Sequence, residues 1–286
     1  MIKKLFLLIL FILALAIPSW AAGPWYGTTG GGNWNAATSW SATSNCTSSC
    51  GGSVPAVGDG VILDSHSGSI TITAAGATGA SLTMTGYTGT LAMGIYSLTI
   101  AGNVTLGGTL TGTGSFSISA ASTITSNSIA FPAILTLSSS STYTLVGNLT
   151  ATTELYIQAN TVVIAGAYNI TCGTFYANFS STATLTLVTG QTLTATTITL
   201  LNSPSNLGAL GVFTIQSSTG TPTGIVYNGS LANQRIMGVT FTNVTVSGSG
   251  SPLYNWFGLG SGNTNITNIS TANMPCGGTS GPRWGF

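Results

Sequence analysis

The segment SLTIAGNVTL (97–106) returns 45 residues later as TYTLVGNLTA (142–151), and this pair decides the fold. In both copies apolar residues alternate with Thr or Ser, and a Gly-Asn pair separates two such runs. Alternation with a period of two residues is typical of half-buried β-strands. The alignment sets Thr99 against Thr144 and Asn103 against Asn148. Such a spacing corresponds to two coils of roughly 22 residues in a stacked solenoid.

The same alternation continues through most of the chain. From Ile70 onward, short apolar and Thr/Ser runs are separated by clusters of Gly, Asn or Ser, and no window has the i, i+3, i+4, i+7 stripe of an amphipathic helix. Hydrophobic residues make up 43% of the chain, which is too apolar for a disordered polar tract. The sequence therefore predicts an all-β fold. Coils of about 22 residues over 70–270 would give about nine coils and a length of roughly 40 to 45 Å.

Two later stretches carry a family resemblance. VTFTNVTVSGSG (239–250) and NTNITNIS (263–270) resemble the inward-apolar strands and turn asparagines of right-handed parallel β-helices in the pectate-lyase-like superfamily. GGNWNAATSW (31–40) and VPAVGDGVILD (54–64) look like charge-poor solenoids of phage fibres and bacterial surface proteins. The resemblance implies a single right-handed parallel β-helix, or β-solenoid, in an extracellular setting, and it carries over no catalytic signature.

The N-terminus has the pattern of a secretory leader. Two lysines precede an apolar run from Leu5 to Ile17, and Ser19 and Ala21 fit a cleavage site. We predict a signal peptide at 1–21, an N-terminal cap at 22–66, and a β-solenoid with a C-terminal tail at 67–286. No later segment is apolar for long enough to span a membrane. The expected location is secreted, extracellular or at the cell surface.

The cap is predicted from aromatic residues set among Gly, Asn and Ser. Aromatic side chains folded across the open end of a solenoid would cover its core, and sugar stacking is the alternative use of such rings. These residues are Trp25, Tyr26, Trp34 and Trp40.

Four cysteines are disulfide candidates in an exported chain. Cys46 and Cys50 are close enough in sequence to pair locally. Cys172 and Cys276 are far apart in sequence and can pair only if the C-terminal tail folds back along the solenoid. A single CxxxC with one distant His lacks the second ligand pair of a zinc site, so we predict no metal and no cofactor.

The charge inventory excludes several functions. Loss of Lys3 and Lys4 with the leader lowers the net charge from +1 to −1. Two arginines, Arg235 and Arg283, cannot neutralise a run of phosphates, so nucleic acid is not an expected partner. The chain has three acidic residues in all. Asp59, Asp64 and His66 superficially resemble a catalytic group, but GDG suits a turn in which Asp bonds backbone N–H groups. We therefore predict that the protein is not an enzyme.

Nine Asn-x-Ser/Thr sequons are candidate glycosylation sites. The alternative is that several of these asparagines form ladders at the turns. They are Asn45, Asn103, Asn148, Asn169, Asn178, Asn228, Asn243, Asn265 and Asn268.

Thr-x-Thr pairs raise the hypothesis of ice binding, because a regular threonine ladder on a solenoid can bind ice. Their irregular spacing in the sequence argues against it, and threonine is common in any half-buried strand. The pairs include Thr71/Thr73, Thr83/Thr85, Thr109/Thr111, Thr184/Thr186 and Thr192/Thr194.

The leading functional hypothesis is a secreted, non-enzymatic structural or adhesive protein that self-assembles head-to-tail into an extracellular fibre or filament. The C-terminal tail offers no evident cap, so an open end could dock on the next copy. The partners would be other copies of this chain and surface glycans. The alternative is a carbohydrate-binding or carbohydrate-cleaving β-helix, with Tyr254, Trp256 and Phe257 as stacking residues or, in the plainer interpretation, as a packing cluster.

Overall fold

The structure, a computed structural model, describes residues 24–48, 50–138, 140–179, 182–202, 212–221, 223–256 and 259–269. The chain winds into a parallel β-solenoid of about 8 turns with three faces. The prediction of an all-β chain forming a single right-handed parallel β-helix is confirmed. The predicted signal peptide and the last residues of the tail lie outside the described residues.

Face 1 is the longest sheet, with twelve strands. Its inner strands each pair in parallel with the equivalent strand of the next coil, and β3 (Trp40–Ser41) pairs antiparallel with β1 at the N-terminal edge. The parallel strands are β1 (Trp25–Gly27), β4 (Gly60–Ile62), β7 (Ser81–Thr83), β10 (Val104–Thr105), β13 (Ser122–Thr125), β15 (Thr142–Leu145), β17 (Val162–Ile164), β19 (Ala183–Leu187), β21 (Phe213–Ser217), β24 (Val239–Thr242) and β27 (Leu259–Ser261).

Face 2 begins as a four-stranded sheet and continues along the first halves of three long strands. An isolated bridge between Phe131 and Ala151 leads into the long strands. The members of face 2 are β2 (Gly32–Asn33), β5 (Ile70–Thr71), β8 (Thr90–Ala92), β11 (Thr109–Thr111), the first halves of β16 (Leu149–Ile157), β18 (Ile170–Phe179) and β20 (Thr192–Asn202), then β22 (Thr223–Tyr227) and β25 (Val244–Ser247).

Face 3 contains the second halves of β16, β18 and β20, and a separate two-stranded sheet follows later in the chain. Two short 3-10 helices, Ala37–Ser39 and Leu231–Asn233, lie between strands. The remaining strands are β6 (Ala77–Gly79), β9 (Leu98–Ile100), β12 (Phe116–Ile118), β14 (Ile134–Leu137) and β23 (Gln234–Ile236) on face 3, and β26 (Leu253–Trp256) and β28 (Ile266–Ile269) in the two-stranded sheet.

Coil length varies, and this overturns the two-coil interpretation of the repeat. Thr99 lies on face 3, where the register leads through Ser117 to Thr136. Thr144 lies on face 1 and pairs with Thr123. The two copies therefore occupy different faces.

The variation is visible along face 3 itself. The coil that leads from Leu98 to its register partner Phe116 is shorter than the coil that leads from Phe175 to its partner Ile198. Equal spacing in the sequence therefore does not mean equal position in the stack.

In both copies the Gly-Asn pair nevertheless lies at a corner of the solenoid. Asn103 Oδ1 accepts a hydrogen bond from the backbone N–H of Thr123 at 2.8 Å, and Asn148 Oδ1 accepts one from the N–H of Asn169 at 2.9 Å. A glycine before Asn103 is needed for close approach, because a Cβ on Gly102 would lie 2.8 Å from the Ala80 carbonyl oxygen. Gly-Asn is thus a corner motif that ties one coil to the next, whichever faces it joins.

The core runs along the solenoid axis. Inward positions of each strand alternate with outward Thr and Ser, as the pleat requires. Aromatic rings fill it at intervals, with Phe116 and Phe131 packed edge to face at a centroid distance of 5.0 Å. The largest fully buried side chains are Trp34, Trp40, Tyr143, Tyr227, Phe116, Phe131, Phe175, Phe213 and Phe241.

The predicted cap region also supplies coil strands. β1 and β2 pair in parallel with β4 and β5, so residues within 22–66 contribute the first strands of faces 1 and 2. β3 then crosses the outer edge of β1 in the antiparallel direction. β1 is therefore paired on both sides, and the two-residue strand β3 is the terminal strand of face 1.

Candidate binding surface

The N-terminal tryptophans are packed inside the protein. Trp34 and Trp40 are both 0% exposed and meet edge to face with ring centroids 4.9 Å apart, and Trp40 Nε1 donates to the Trp34 carbonyl oxygen at 2.7 Å. Trp25 is 9% exposed. Tyr26 lies on the outward side of β1 and is half-buried. The buried rings have no free face to offer a sugar, so their role is to fill the first coil.

The predicted local disulfide is present. Cys46 and Cys50 form a disulfide with Cα atoms 6.3 Å apart. Cys172 is a free cysteine in the core, where its neighbours in register are Ala151 and Ala195. Burial raises the pKa of its thiol to about 12. Cys276 lies outside the described residues.

The acidic residues near the N-terminus are engaged in turns. Asp59 Oδ2 accepts hydrogen bonds from Trp25 Nε1 at 3.1 Å and from the Ala56 N–H at 2.9 Å. Asp64 Oδ1 accepts the His66 N–H at 2.9 Å. Burial raises the pKa of Asp64, but hydrogen bonds from Ser44, the His66 backbone and Ser67 bring it below its ordinary value. These are the contacts expected of turn-forming aspartates.

Corner asparagines account for part of the sequon set. Besides Asn103 and Asn148, Asn169 accepts the N–H of Thr192 at 2.8 Å through its Oδ1. Asn45, Asn243 and Asn265 adopt a positive φ, as turn asparagines often do. Asn228 is exposed, and the side chains of Asn178 and Asn268 lie outside the described residues.

The predicted stacking trio is only partly described. Tyr254 is half-buried on β26, and its backbone N–H donates to Gln234 Oε1 at 3.1 Å. Its neighbour Asn255 is buried and donates to the Val239 carbonyl at 2.8 Å. The Trp256 side chain and Phe257 lie outside the described residues.

A different aromatic pair lies on the outward side of face 3. Tyr156 and Tyr176 are register partners on β16 and β18, with ring centroids 4.8 Å apart and planes inclined at 50°. Both side chains are half-buried, while their strand neighbours Leu155 and Phe175 point into the core. The pair therefore presents aromatic surface to solvent.

A carboxylate lies beside this pair. Glu154 and Tyr156 share the same side of β16, and Thr174 is the register partner of Glu154 on β18. Burial raises the pKa of Glu154. The pKa of Tyr156 is also raised, first by burial and then by Tyr176 and Glu154. We call Glu154, Tyr156, Thr174 and Tyr176 the tyrosine patch.

A cation lies farther along the same column. The register continues from Tyr176 through Thr199 to Arg235, which is exposed. Two further coil steps separate Tyr176 from Arg235, or about 10 Å along the axis. Face 3 thus combines two rings, hydroxyl groups, one carboxylate and one guanidinium.

The sequence contained a signal for the tyrosine patch. Leu-Tyr-Ile (155–157) and Phe-Tyr-Ala (175–177) each place a tyrosine at the polar position of an alternating strand. An aromatic ring at a position otherwise held by Thr or Ser marks an outward site. What the sequence could not supply is the register, because coil lengths differ.

Comparison with known protein families, curated proteins and solved structures finds no match for this chain. No helix among the described residues is long and apolar enough to cross a membrane. Within those same residues, no group of three or more His, Cys, Asp and Glu side chains is placed to hold a metal ion.

Proposed function

We propose that the protein is an extracellular, non-enzymatic solenoid that acts as an adhesive or structural element and contacts surface glycans through the tyrosine patch. The N-terminal leader supports export, and the Cys46–Cys50 disulfide fits an oxidising compartment. The coils are tied together by backbone ladders and corner asparagines, so the stack needs little charge. These features suit a rigid rod outside the cell.

The observation that carries the proposal is the outward Tyr156–Tyr176 pair beside Glu154. Tyrosine rings stack on the apolar C–H faces of sugars while their hydroxyls remain hydrogen-bonded to solvent or ligand. Glu154 and Thr174 add an acceptor and a hydroxyl at the edge of the rings. A neutral glycan fits this chemistry best, because the patch holds one carboxylate and no cation of its own.

Cleavage of that glycan is not part of the proposal. Glycosidases usually place two carboxyl groups about 5 to 9.5 Å apart. Glu154 lies on β16, whereas Asp59 and Asp64 flank β4, which lies four coil steps earlier in the stack and about 20 Å away along the axis. Both aspartates also serve the turns that contain them. We expect binding without turnover.

The proposal also includes the assembly of the protein into fibres. A continued backbone ladder through β1 is not available, because β3 already pairs with its outer edge. End-to-end contacts through face 1 would therefore have to be made by β3 or by side chains. Electron microscopy of the signal-cleaved protein tests this point: filaments support self-assembly, and single rods restrict the proposal to adhesion.

Glycan binding is tested by native gel electrophoresis through gels that contain hydroxyethyl cellulose, xylan or mannan. We expect at least one polysaccharide to retard the wild-type protein, and Tyr156→Ala and Tyr176→Ala to migrate as in a gel without polysaccharide. Tyr96→Ala is the matched control, since Tyr96 is also half-buried but lies away from β16 and β18. Circular dichroism of each variant checks the fold.

Two results would contradict the proposal. One is unretarded migration of the wild type in all three gels, and the other is an equal loss of retardation in Tyr96→Ala. Release of reducing ends from a retarding polysaccharide would contradict the non-enzymatic part alone.

A further inference from the structure

Face 1 carries a two-column array of side chains on its outward side, which we call the hydroxyl array. It is built from β15, β17, β19, β21 and β24, whose outward residues share successive registers without a shift. The first column contains Thr142, Val162, Thr184, Thr214 and Thr240, and the second contains Thr144, Ile164, Thr186, Gln216 and Thr242.

The array is regular in space although it is irregular in sequence. The step from Thr184 to Thr214 is longer than the step from Thr214 to Thr240, yet each pair is directly in register. The additional residues lie between the face 1 strands and leave the alignment intact. A threonine ladder is therefore present in space, although unequal coil lengths hide its alignment in the sequence.

The Thr-x-Thr pairs that the sequence singled out do not make one ladder. Only Thr184/Thr186 belongs to the hydroxyl array. Thr109 and Thr111 lie on face 2, and so does Thr192. The ladder is completed by Thr214 and by two further Thr-x-Thr pairs of the sequence, Thr142/Thr144 and Thr240/Thr242.

The geometry of the array is fixed by the fold. Rungs are separated by the strand spacing of about 4.8 Å, and the two columns by two steps along a parallel strand, about 6.6 Å. Between the columns, Leu185, Ile215 and Phe241 are 0 to 1% exposed and anchor each rung in the core. Threonine, valine and isoleucine are stiff at χ1, so methyl and hydroxyl groups are held in repeating positions.

Most positions of the array carry the same side chain. Seven of its ten positions are Thr, and Val162 and Ile164 keep the branched shape without the hydroxyl. Gln216 Nε2 donates to Thr186 Oγ1 at 3.4 Å, which aligns an amide with the second column. None of the ten side chains is charged. A repeating, uncharged set of hydroxyl and methyl groups can order a repeating layer of water.

We propose that the hydroxyl array binds the surface of crystalline ice. Ice is a repeating lattice of hydrogen-bonding groups, so a rigid repeating surface can engage it at many points at once. Each contact is weak, but the array loses little entropy on binding because its strands are already fixed by the core. A charged surface would instead retain its own hydration shell.

This inference does not depend on glycan binding. The hydroxyl array lies on face 1 and the tyrosine patch on face 3. Loss of one activity should leave the other unchanged, and Tyr156→Ala supplies that comparison.

The experiment measures the gap between the melting and freezing points of a single ice crystal in a solution of the signal-cleaved protein, together with partition of the protein into slowly grown ice. The wild type is expected to produce a freezing gap and to enter the ice. Thr184→Tyr combined with Thr214→Tyr places two bulky rings on the array and should abolish both effects. Thr111→Tyr, on an exposed position of face 2, is the control and should retain them.

A second double variant controls for loss of activity through misfolding. Thr184→Val combined with Thr214→Val removes two hydroxyls without changing shape, and it should reduce the freezing gap while the unfolding midpoint stays at the wild-type value. The proposal is overturned if wild-type protein is excluded from growing ice and leaves no freezing gap. It is also overturned if Thr111→Tyr lowers the gap as much as the double tyrosine variant does.

Discussion

Asn148 and Asn169 occupy the same corner of successive coils, and the first holds the second: Asn148 Oδ1 accepts the Asn169 backbone N–H at 2.9 Å. Asn169 in turn accepts the Thr192 N–H at 2.8 Å. At these two successive steps, a side-chain oxygen therefore satisfies a backbone donor at the corner.

Replacement of Asn148 by Ala is expected to lower the free energy of unfolding by about 1 kcal/mol, because the Asn169 N–H loses its acceptor. Asn148→Asp keeps an oxygen in the same place and should lose less. Urea denaturation followed by circular dichroism measures both. If Asn148→Ala unfolds at the wild-type urea concentration, the corner bond contributes nothing to stability.

Stability should change little with pH until the solution becomes strongly acidic. The pKa of Asp64 is lower in the folded state than its ordinary value of 3.8, so its stabilisation is present above that value and is lost as the pH falls through the folded pKa. The pKa of Glu154 is raised above its ordinary 4.5, so its stabilisation is present at low pH and is lost as the pH rises through the folded pKa. The two effects oppose each other.

We therefore expect thermal unfolding midpoints to stay level or rise slightly from pH 7 to pH 4.5, and to fall only below pH 3.8. Scanning calorimetry across this range is the measurement. Glu154→Gln should remove the small rise, and Asp64→Asn should remove the acidic loss. A steep fall between pH 6 and pH 4.5 would show that another group controls stability.

Cys172 should resist alkylation in the native protein. The side chain is 5% exposed and burial raises the pKa of its thiol to about 12, so almost no thiolate is present at pH 8. Iodoacetamide followed by peptide mass spectrometry should find Cys172 unmodified in buffer and modified in guanidinium chloride. Ready modification in buffer would mean that this part of the core opens on the timescale of the reaction.

The fold class could be predicted from local patterns, whereas the contacts between coils could not. Alternating Thr and apolar residues predicted the strands, and Gly-Asn predicted the corners. The alignment of Thr99 with Thr144 was wrong because the same strand and corner motif occurs on more than one face, and coils of unequal length give no fixed period.

For the candidate surfaces, too, the sequence predicted single residues but not the contacts between coils. Tyr156 and Tyr176 are visible in the sequence as outward aromatics, but only the register brings their rings within 4.8 Å. Thr184 and Thr214 are distant in the sequence and become neighbours only through the pairing of β19 with β21. The Cys46–Cys50 disulfide was predictable because its partners are close in sequence.

The long step between Thr184 and Thr214 has a practical consequence for protein engineering. This step is longer than the step from Thr214 to Thr240, yet the strands at both of its ends remain in register. A foreign peptide or small tag inserted at such a junction should be displayed beside an ordered face, at a height along the rod chosen by the coil. Groups attached at equivalent positions of successive coils would therefore be spaced in steps of about 4.8 Å along the solenoid axis.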